Sequence, residues 1–368
     1  MAARLKGLIH RLVFENLKHR PLRTLLSLVL IGAQVTMILA LVGVSRGVLG
    51  NMQRRAKGTG ADIIIRPPDS SVLSFSSNMS EKIVEVVRGM EHVKLATGAL
   101  VHPISNLDSI TGIHLDEFNE LSGGLVILKG KGFEKPDDLL VDRVFAQRKK
   151  LEPGSKLDFG HLWNIVGVVE EGKLSATFAD IAALQDIFGE TGKISYVYVK
   201  LDDPKNTDAM KATLQQKFDT YKIYSMEEFT ALFTTNAVPL VETFIQVVVG
   251  IGAFVGFLVV FLSMYMAVLE RTREIGILKA MGASPGYIVG ILLRETVLLA
   301  LAGTALGIAM AYGTRALLAA VAPNMPQVIV PDWYLNVAII ALGGSLAGAV
   351  YPGLKAAKQD AIEALAYD

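Results

Sequence analysis

Four stretches of this chain carry no Asp, Glu, Lys or Arg over lengths that suit a membrane helix. The first runs from Thr24 to Ser45, between Arg23 and Arg46. At about 1.5 Å per residue it reaches roughly 33 Å, enough for a hydrocarbon core of about 30 Å. The second lies between Glu242 and Glu270, where Phe244 to Leu262 is mostly Phe, Ile, Val and Leu, residues worth about −0.3 to −0.6 kcal/mol each on insertion. Its uncharged length of roughly 40 Å exceeds the bilayer core, so we read it as a helix that projects beyond the membrane as a stalk. The third sits between Glu295 and Arg315. The fourth runs from Trp333 to Leu354, with Asp332 expected as its N-cap and Trp333 and Tyr334 suited to the membrane interface.

Basic residues orient these spans. Val321 to Asp332 contains no Lys or Arg, as a short external loop should, whereas Arg271, Arg273 and Lys279 place the second-to-third loop inside, and Lys355 and Lys358 do the same for the end of the chain. Leu5, Leu8, Ile9, Leu12 and Val13 recur at helical spacing opposite Lys6, Arg11 and Lys18, the pattern of an amphipathic helix on the inner membrane surface. Residues 58–239 mix strand-like runs (Asp62 to Ile65, Trp163 to Val169, Ser195 to Leu201) with helical ones (Ser80 to Met90, Thr207 to Phe218), predicting an α+β domain. The expected organisation is a cytoplasmic amphipathic helix over 1–20, a first transmembrane helix and stalk over 21–57, and an extracytoplasmic α+β domain over 58–239. A second transmembrane helix over 240–270 follows, then a cytoplasmic helical loop over 271–290, a third transmembrane helix over 291–320, an external loop over 321–332, a fourth transmembrane helix over 333–354 and a cytoplasmic tail over 355–368.

Composition narrows the function. Of 368 residues 51% are hydrophobic and only 19% charged, with a mean hydropathy of +0.42, too apolar for an ordinary soluble protein of this length. A net charge of +1 without any basic run interleaved with aromatics argues against nucleic acid. The absence of cysteine excludes disulfides, thiolate nucleophiles and Cys-ligated metal.

The densest motif is the loop Glu270 to Ala283. Ile275, Leu278 and Met281 can share one helical stripe, with Arg271, Arg273, Glu274 and Lys279 around it, giving an amphipathic helix between two spans. On physics alone it is a connector or a receiver of force from a cytoplasmic partner. Its pattern, Arg271-Thr272-Arg273-Glu274-Ile275-Gly276-x-x-Lys279-Ala280-x-Gly282-Ala283, resembles the loop of the FtsX/MacB class of ABC permeases. Asn16 to Leu26, Glu295 with Gly303 and Gly307, and Tyr351-Pro352-x-x-Lys355-Ala356-Ala357 with Ile362 to Leu365 resemble other segments of that family, in order. The inserted domain resembles its MacB-like periplasmic core more loosely, through its position and segments such as Trp163 to Gly172.

The resemblance implies a non-catalytic permease of the bacterial inner membrane, forming a homodimer with two copies of a separate ABC ATPase that binds ATP and Mg. It implies that Arg271, Arg273, Glu274, Ile275, Gly276, Lys279, Met281, Gly282 and Ala283 couple to the ATPase. Motion would then export or extract a hydrophobic or amphiphilic substrate, with a periplasmic adaptor and outer-membrane duct as further partners. The alternative is an FtsX-like regulator that activates an extracytoplasmic partner and transports nothing.

Other motifs favour plainer readings. Gly252/Gly256, Gly303/Gly307 and Gly344/Gly348 recur at four-residue spacing, which serves either helix packing within the chain or a dimer seam, the seam being favoured for the second span. Gln34, Thr36 and Gln246 need partners in lipid, and either join helices or line a polar path. Gly282-Ala283-Ser284-Pro285-Gly286 matches a nucleophile elbow, but a helix precedes it, and Ser284 as N-cap with Pro285 at the first helical position explains both residues. No phosphate-binding loop is present, the nearest stretch being Leu125 to Gly132. His114 with Glu117 is a close pairing of histidine with carboxylate, and no metal cluster is expected.

Overall fold

A computed structural model describes residues 21–70, 78–104, 108–234, 239–322 and 325–359. The expected amphipathic helix over 1–20 and the tail motif Ile362 to Leu365 lie outside these. The chain divides into two compact units: one holds the chain up to Ser45, Leu240–Val321 and the chain from Pro326, and the other holds Arg46–Pro239 with Ala322–Met325. Helix α1, Pro21–Lys57, contributes to both. It opens on Pro21, whose fixed φ suits the first helical position, and it closes on Arg54, Arg55 and Lys57, cations that complement the carbonyl end of the helix.

The inserted unit is built on a mixed sheet. Its elements run β1 (Ile63–Arg66), β2 (Met79–Ser80), α2 (Lys82–Arg88), β3 (Val93–Pro103), β4 (Ser109–Ile113), α3 (Leu115–Ser122), β5 (Ile127–Gly130) and β6 (Asp138–Asp142). Then come α4 (Arg143–Lys149), β7 (Lys156–Asp158), β8 (Leu162–Val169), β9 (Thr177–Asp180), α5 (Ile181–Ile187), β10 (Lys193–Ile194), β11 (Tyr196–Leu201), α6 (Thr207–Lys217), β12 (Lys222–Ser225) and α7 (Met226–Ala231). The ten-stranded sheet has the order β12-β1-β11-β3-β4-β9-β6-β8-β5, with β7 on β8, and β10 pairs β2 separately. Two pairings, β4 with β9 and β6 with β8, are parallel.

Side chains alternate across this sheet with period two. Ile63, Ile65, Leu100, Ile110, Leu139, Val141, Val197 and Val199 share one core with Trp163 and the apolar sides of α2, α5 and α6. The intervening positions, Ile64, Val101, Thr111, Asp142, Tyr196 and Tyr198, occupy the opposite face and are buried as well. Covering on both faces explains why β1, an unbroken Ile-Ile-Ile run, is buried throughout. The expected His114–Glu117 pair does not form: His114 lies 3.6 Å from Glu81, while Glu117 accepts from Arg88 and Thr97. His114 stands at the N-cap position of α3 with an extended backbone, and Glu117 lies inside that helix, turned toward β3.

The other unit contains nearly all of α8 (Pro239–Glu270), with α9 (Thr272–Ala280), α10 (Pro285–Val321) and α11 (Tyr334–Lys358), and among the described residues four helices, α1, α8, α10 and α11, are long and apolar enough to cross a membrane. The helix that enters the inserted unit is α1, through Arg46–Lys57, the end of the stretch expected as its stalk, and α8 belongs to the other unit from Leu240. α1 carries Asn51, Gln53 and three basic groups near its end, and α8 is uncharged from Thr243 to Leu269. One sequence expectation changes here. Asp332 does not cap α11, because Pro331 starts a 3-10 turn over Pro331–Trp333 and Trp333 takes the N-cap position.

All three glycine pairs face helices of the same chain. A Cβ on Gly256 would fall 2.1 Å from Gln34 Oε1, and one on Gly252 would touch Gln34, Met37 and Ile38, so α1 covers both and the favoured dimer seam is not there. Gly303 and Gly307 lie against Ile31, Gly32 and Val35, and Gly344 and Gly348 against Ala253, Phe257 and Phe261. Thr36 Oγ1 donates to Gly32 O (2.7 Å) and Gly307 O (2.9 Å), joining α1 to α10 where the backbones approach. Gln246 Nε2 donates to Glu242 (3.2 Å). Because a Cβ at Gly307 would come 2.6 Å from Gly32 O and 2.7 Å from Val35 Cβ, Gly307→Val is expected to destabilise the helix pair by about 1–3 kcal/mol. Thermal inactivation followed by size-exclusion chromatography in detergent checks this, and an unchanged midpoint would refute the close contact.

Candidate functional site

The loop between the second and third spans is a short helix held from behind. A single residue, Arg271, separates α8 from α9 and occupies the N-cap position. Thr272 Oγ1 donates back to Val268 O (3.2 Å) and Leu269 O (2.9 Å), carrying the turn without a gap. At the far end the backbone of Met281 donates to Ile277 O and that of Ala283 to Leu278 O, across Gly282 at φ +90°, a conformation natural only to glycine. Ser284 Oγ then accepts from the Tyr287 N–H (3.3 Å) and Pro285 begins α10, so Ser284 serves as a helix cap.

Thr272, Ile275 and Gly276 turn inward, whereas Arg273, Glu274, Ile277, Met281 and Gly282 are exposed. The expected stripe of Ile275, Leu278 and Met281 is therefore corrected. Ile275 is buried and Leu278 half-buried, but Met281 is 71% exposed. The helix ends at Ala280, and Met281 at the C-cap swings away from the inner face. Outward, Arg273, Ile277 and Met281 follow one another at four-residue spacing beside Glu274. Lys279 donates to the backbone oxygen of Gln359, just past α11, and Ala283 is half-buried.

Beneath the loop lies a cluster that sequence reasoning missed. Glu295, eleven residues into α10, is wholly buried. Its Oε2 accepts from Arg271 Nη1 (3.3 Å) and its Oε1 from Arg23 Nη2 (3.4 Å), while Arg23 Nη1 reaches Glu270 Oε2 (3.4 Å). Arg271, expected on the helix surface, is thus turned in and buried. One carboxylate joins the start of α1, the start of α9 and the body of α10. A charge removed from water survives only with such compensation. The available signal was the carboxylate itself, since an ionisable group inside a membrane helix is a functional candidate by default. In the sequence it bounds a span and opens a family-like segment with Gly303 and Gly307, but spacing assigns it no partner. Ser27 Oγ and Ser263 Oγ, 2.9 Å apart, tie α1 to α8 nearby.

A second set of contacts secures the end of α1 inside the other unit. Arg55 Nη2 donates to Asp142 Oδ2 (2.6 Å), the Leu174 N–H donates to Arg55 O (2.9 Å), and Gln53 Nε2 donates to Thr230 O (2.8 Å). Asp142 is buried at the close of β6 and caps α4, its Oδ1 accepting from the Phe145 N–H (2.7 Å). Next to it, a hydrogen bond from Arg143 holds the Glu171 carboxyl below its ordinary range, and desolvation lowers Lys173, which donates to Ser122 O (2.8 Å) and Gly124 O. Among the described residues no group of three or more His, Asp or Glu could hold a metal ion.

Family comparison accounts for both regions. The FtsX-like permease C-terminal family matches residues 247–361, and the MacB-like periplasmic core domain matches residues 24–217, more than half of the chain. The chain is an ABC transporter permease of the FtsX/MacB type. The permease is 28% identical over 397 aligned residues to the ABC transporter permease YknZ of Bacillus subtilis, covering 97% of this chain and 98% of that one. It is 27% identical to the macrolide export ATP-binding/permease protein MacB of Agrobacterium fabrum, covering 71% of this chain and 43% of MacB. The extracellular domain of YknZ, solved as a crystal structure, aligns with 45% of this chain and 99% of its own length at 18% identity and a TM-score of 0.34. The permease is therefore a multi-pass membrane protein with an extracytoplasmic α+β domain inserted between its first and second spans.

Proposed function

We propose that this permease works by mechanotransmission, exporting or extracting a hydrophobic or amphiphilic substrate with energy from a separate ATPase. The observation that carries the reading is α9, which exposes Arg273, Glu274, Ile277 and Met281 while Glu295 and Arg271 fix its inner side. An exposed face of mixed charge and apolar character, backed by a buried ion cluster, suits a partner that pushes on it. Two copies of an ABC ATPase bind ATP and Mg, none being bound by this chain, and each seats one α9. Both termini then lie in the cytoplasm, the membrane is the bacterial inner membrane, and Arg271 and Lys279 act by positioning the helix while Gly276, Gly282 and Ala283 shape its path. The similarity to MacB, a macrolide export protein, supports the outward direction. A second copy meets the outer stripe of α8, including Ile251, Phe254, Leu258 and Leu262, the least covered of the four spans. A periplasmic adaptor and an outer-membrane duct are the further partners.

Co-expression with a separate ABC ATPase subunit tests the proposal. The two are expected to co-purify, and Glu274→Arg is expected to lower permease-dependent ATPase activity about tenfold, a loss of ~1.4 kcal/mol in coupling. Failure to co-purify, or full activity in the variant, would overturn it.

A further inference from the structure

The second face of the extracytoplasmic sheet borders a cavity of 380 Å³, within the range of small-molecule sites, about 300–1,000 Å³. Period-two alternation builds it: β11 sends Val197 and Val199 into the core and Tyr196 and Tyr198 to the cavity, and β3 sends Leu100 one way and Val101 the other. Phe145, Phe229 and Phe233 complete the aromatic wall. Its rings already meet one another tilted or edge-on, Tyr196 with Tyr198 at 5.9 Å and 33° and Phe229 with Phe233 at 5.0 Å and 84°. Arg66 braces two of them from different elements, its guanidinium carbon 5.2 Å from the Tyr196 ring centre and 5.5 Å from that of Phe229. The wall therefore presents ring faces and edges in fixed orientations. Burial raises the titration of both tyrosine hydroxyls, which stay neutral at physiological pH.

The charged groups at the cavity are engaged with one another. Arg55 Nη2 donates to Asp142 Oδ2 (2.6 Å), and Asp108 takes both Arg148 and Lys149. An ion of either sign that entered would have to break one of these pairs or lie unpaired among the rings, and both are costly. An uncharged molecule meets neither penalty. Among uncharged molecules, one with aromatic rings of its own gains most, because edge-to-face and offset-stacked contacts add to simple burial. A saturated molecule of the same size gains burial alone.

We propose that this cavity binds an uncharged diaryl or fused-ring compound, held by the rings of Tyr196, Tyr198, Phe229 and Phe233 and by no ion pair. Its role as the site where the permease loads cargo rests on the transport reading; binding itself does not. The test uses the full chain in nanodiscs of phosphatidylcholine, without ATPase or nucleotide, irradiated with benzophenone. The excited ketone oxygen takes a hydrogen atom from a nearby C–H, and the two carbon radicals then join to give a tertiary alcohol that peptide mass spectrometry locates. Adducts are expected at Met52 and Met325, which line the cavity, while Met37, exposed in the first span, reports reagent dissolved in lipid. At equal aqueous concentration benzophenone-4-carboxylate is expected to label Met52 and Met325 about tenfold less. Biphenyl is expected to suppress the labelling at a concentration about tenfold below that of bicyclohexyl, its saturated counterpart. Ser175→Trp, which fills the cavity from a lining position and changes none of the paired residues, is expected to lower labelling at both methionines about tenfold and to leave Met37 labelled as before. The first two comparisons use the parent chain and so do not depend on how the variant folds. Equal labelling by ketone and acid, equal suppression by biphenyl and bicyclohexyl, or unchanged labelling in Ser175→Trp would overturn the proposal. Glu274→Arg is expected to be labelled as the parent is, so this site and the coupling reading fail separately.

Discussion

Glu295→Ala is expected to cost the membrane unit about 3–5 kcal/mol, the range for breaking a buried ion pair by removing one partner, and to abolish permease-dependent ATPase stimulation. The carboxylate accepts from Arg271 and Arg23, and without it two guanidiniums meet where neither is well hydrated; Arg271 is only 9% exposed. Arg23 keeps Glu270, so the first helix retains one tie, but Arg271 loses the Glu295 carboxylate at the base of α9. The loop helix then loses its fixed orientation, and an applied force is absorbed as local rocking. Glu295→Gln keeps the shape and a carbonyl acceptor and is expected to lie between the two. Melting in detergent, scored by the retained monodisperse fraction, and ATPase assays on the co-purified complex check both effects. Wild-type melting for the alanine variant would mean that the cluster holds nothing.

The second large effect is expected at Asp142. Asp142→Ala removes the cap of α4, worth about 0.5–2 kcal/mol, and also leaves the partly buried Arg55 without its carboxylate, for a total of about 3–5 kcal/mol. Because Asp142 links β6, α4 and the end of α1, hydrogen exchange should quicken together at residues 50–57 and 143–149. Asp142→Asn keeps the oxygen that caps Phe145 and should speed exchange chiefly at 50–57. Protection equal to the parent in both segments would refute the clamp.

The spans were legible because a charge in a bilayer is expensive, and uncharged windows such as Thr24 to Ser45 therefore stand out in one dimension. The strands at Trp163 to Val169 and Ser195 to Leu201 were legible for a related reason, β-branched and aromatic residues running between turns. Long-range partnership was not. Arg23 and Glu295 are 272 positions apart, and each alone reads as the flank of a helix. Arg271 illustrates the same limit: amphipathic spacing puts it on a polar surface, and only the buried carboxylate below turns it inward. The glycine pairs announced close packing, but spacing cannot say whether the neighbour is α1 or another molecule; the side chain of Gln34 over Gly256 decides it. Parallel pairing of β4 with β9 and of β6 with β8 likewise follows from tertiary assembly rather than from local pattern.

The alternation along β11 separates two duties that many proteins must share. Val197 and Val199 hold the fold, and Tyr196 and Tyr198, one residue away in each case, face the other side of the sheet. Changes at positions 196 and 198 can thus reshape that face while the core residues on the other side stay as they are. Diversification of what the domain accepts needs no new scaffold, only a new set of even-numbered side chains on an old one.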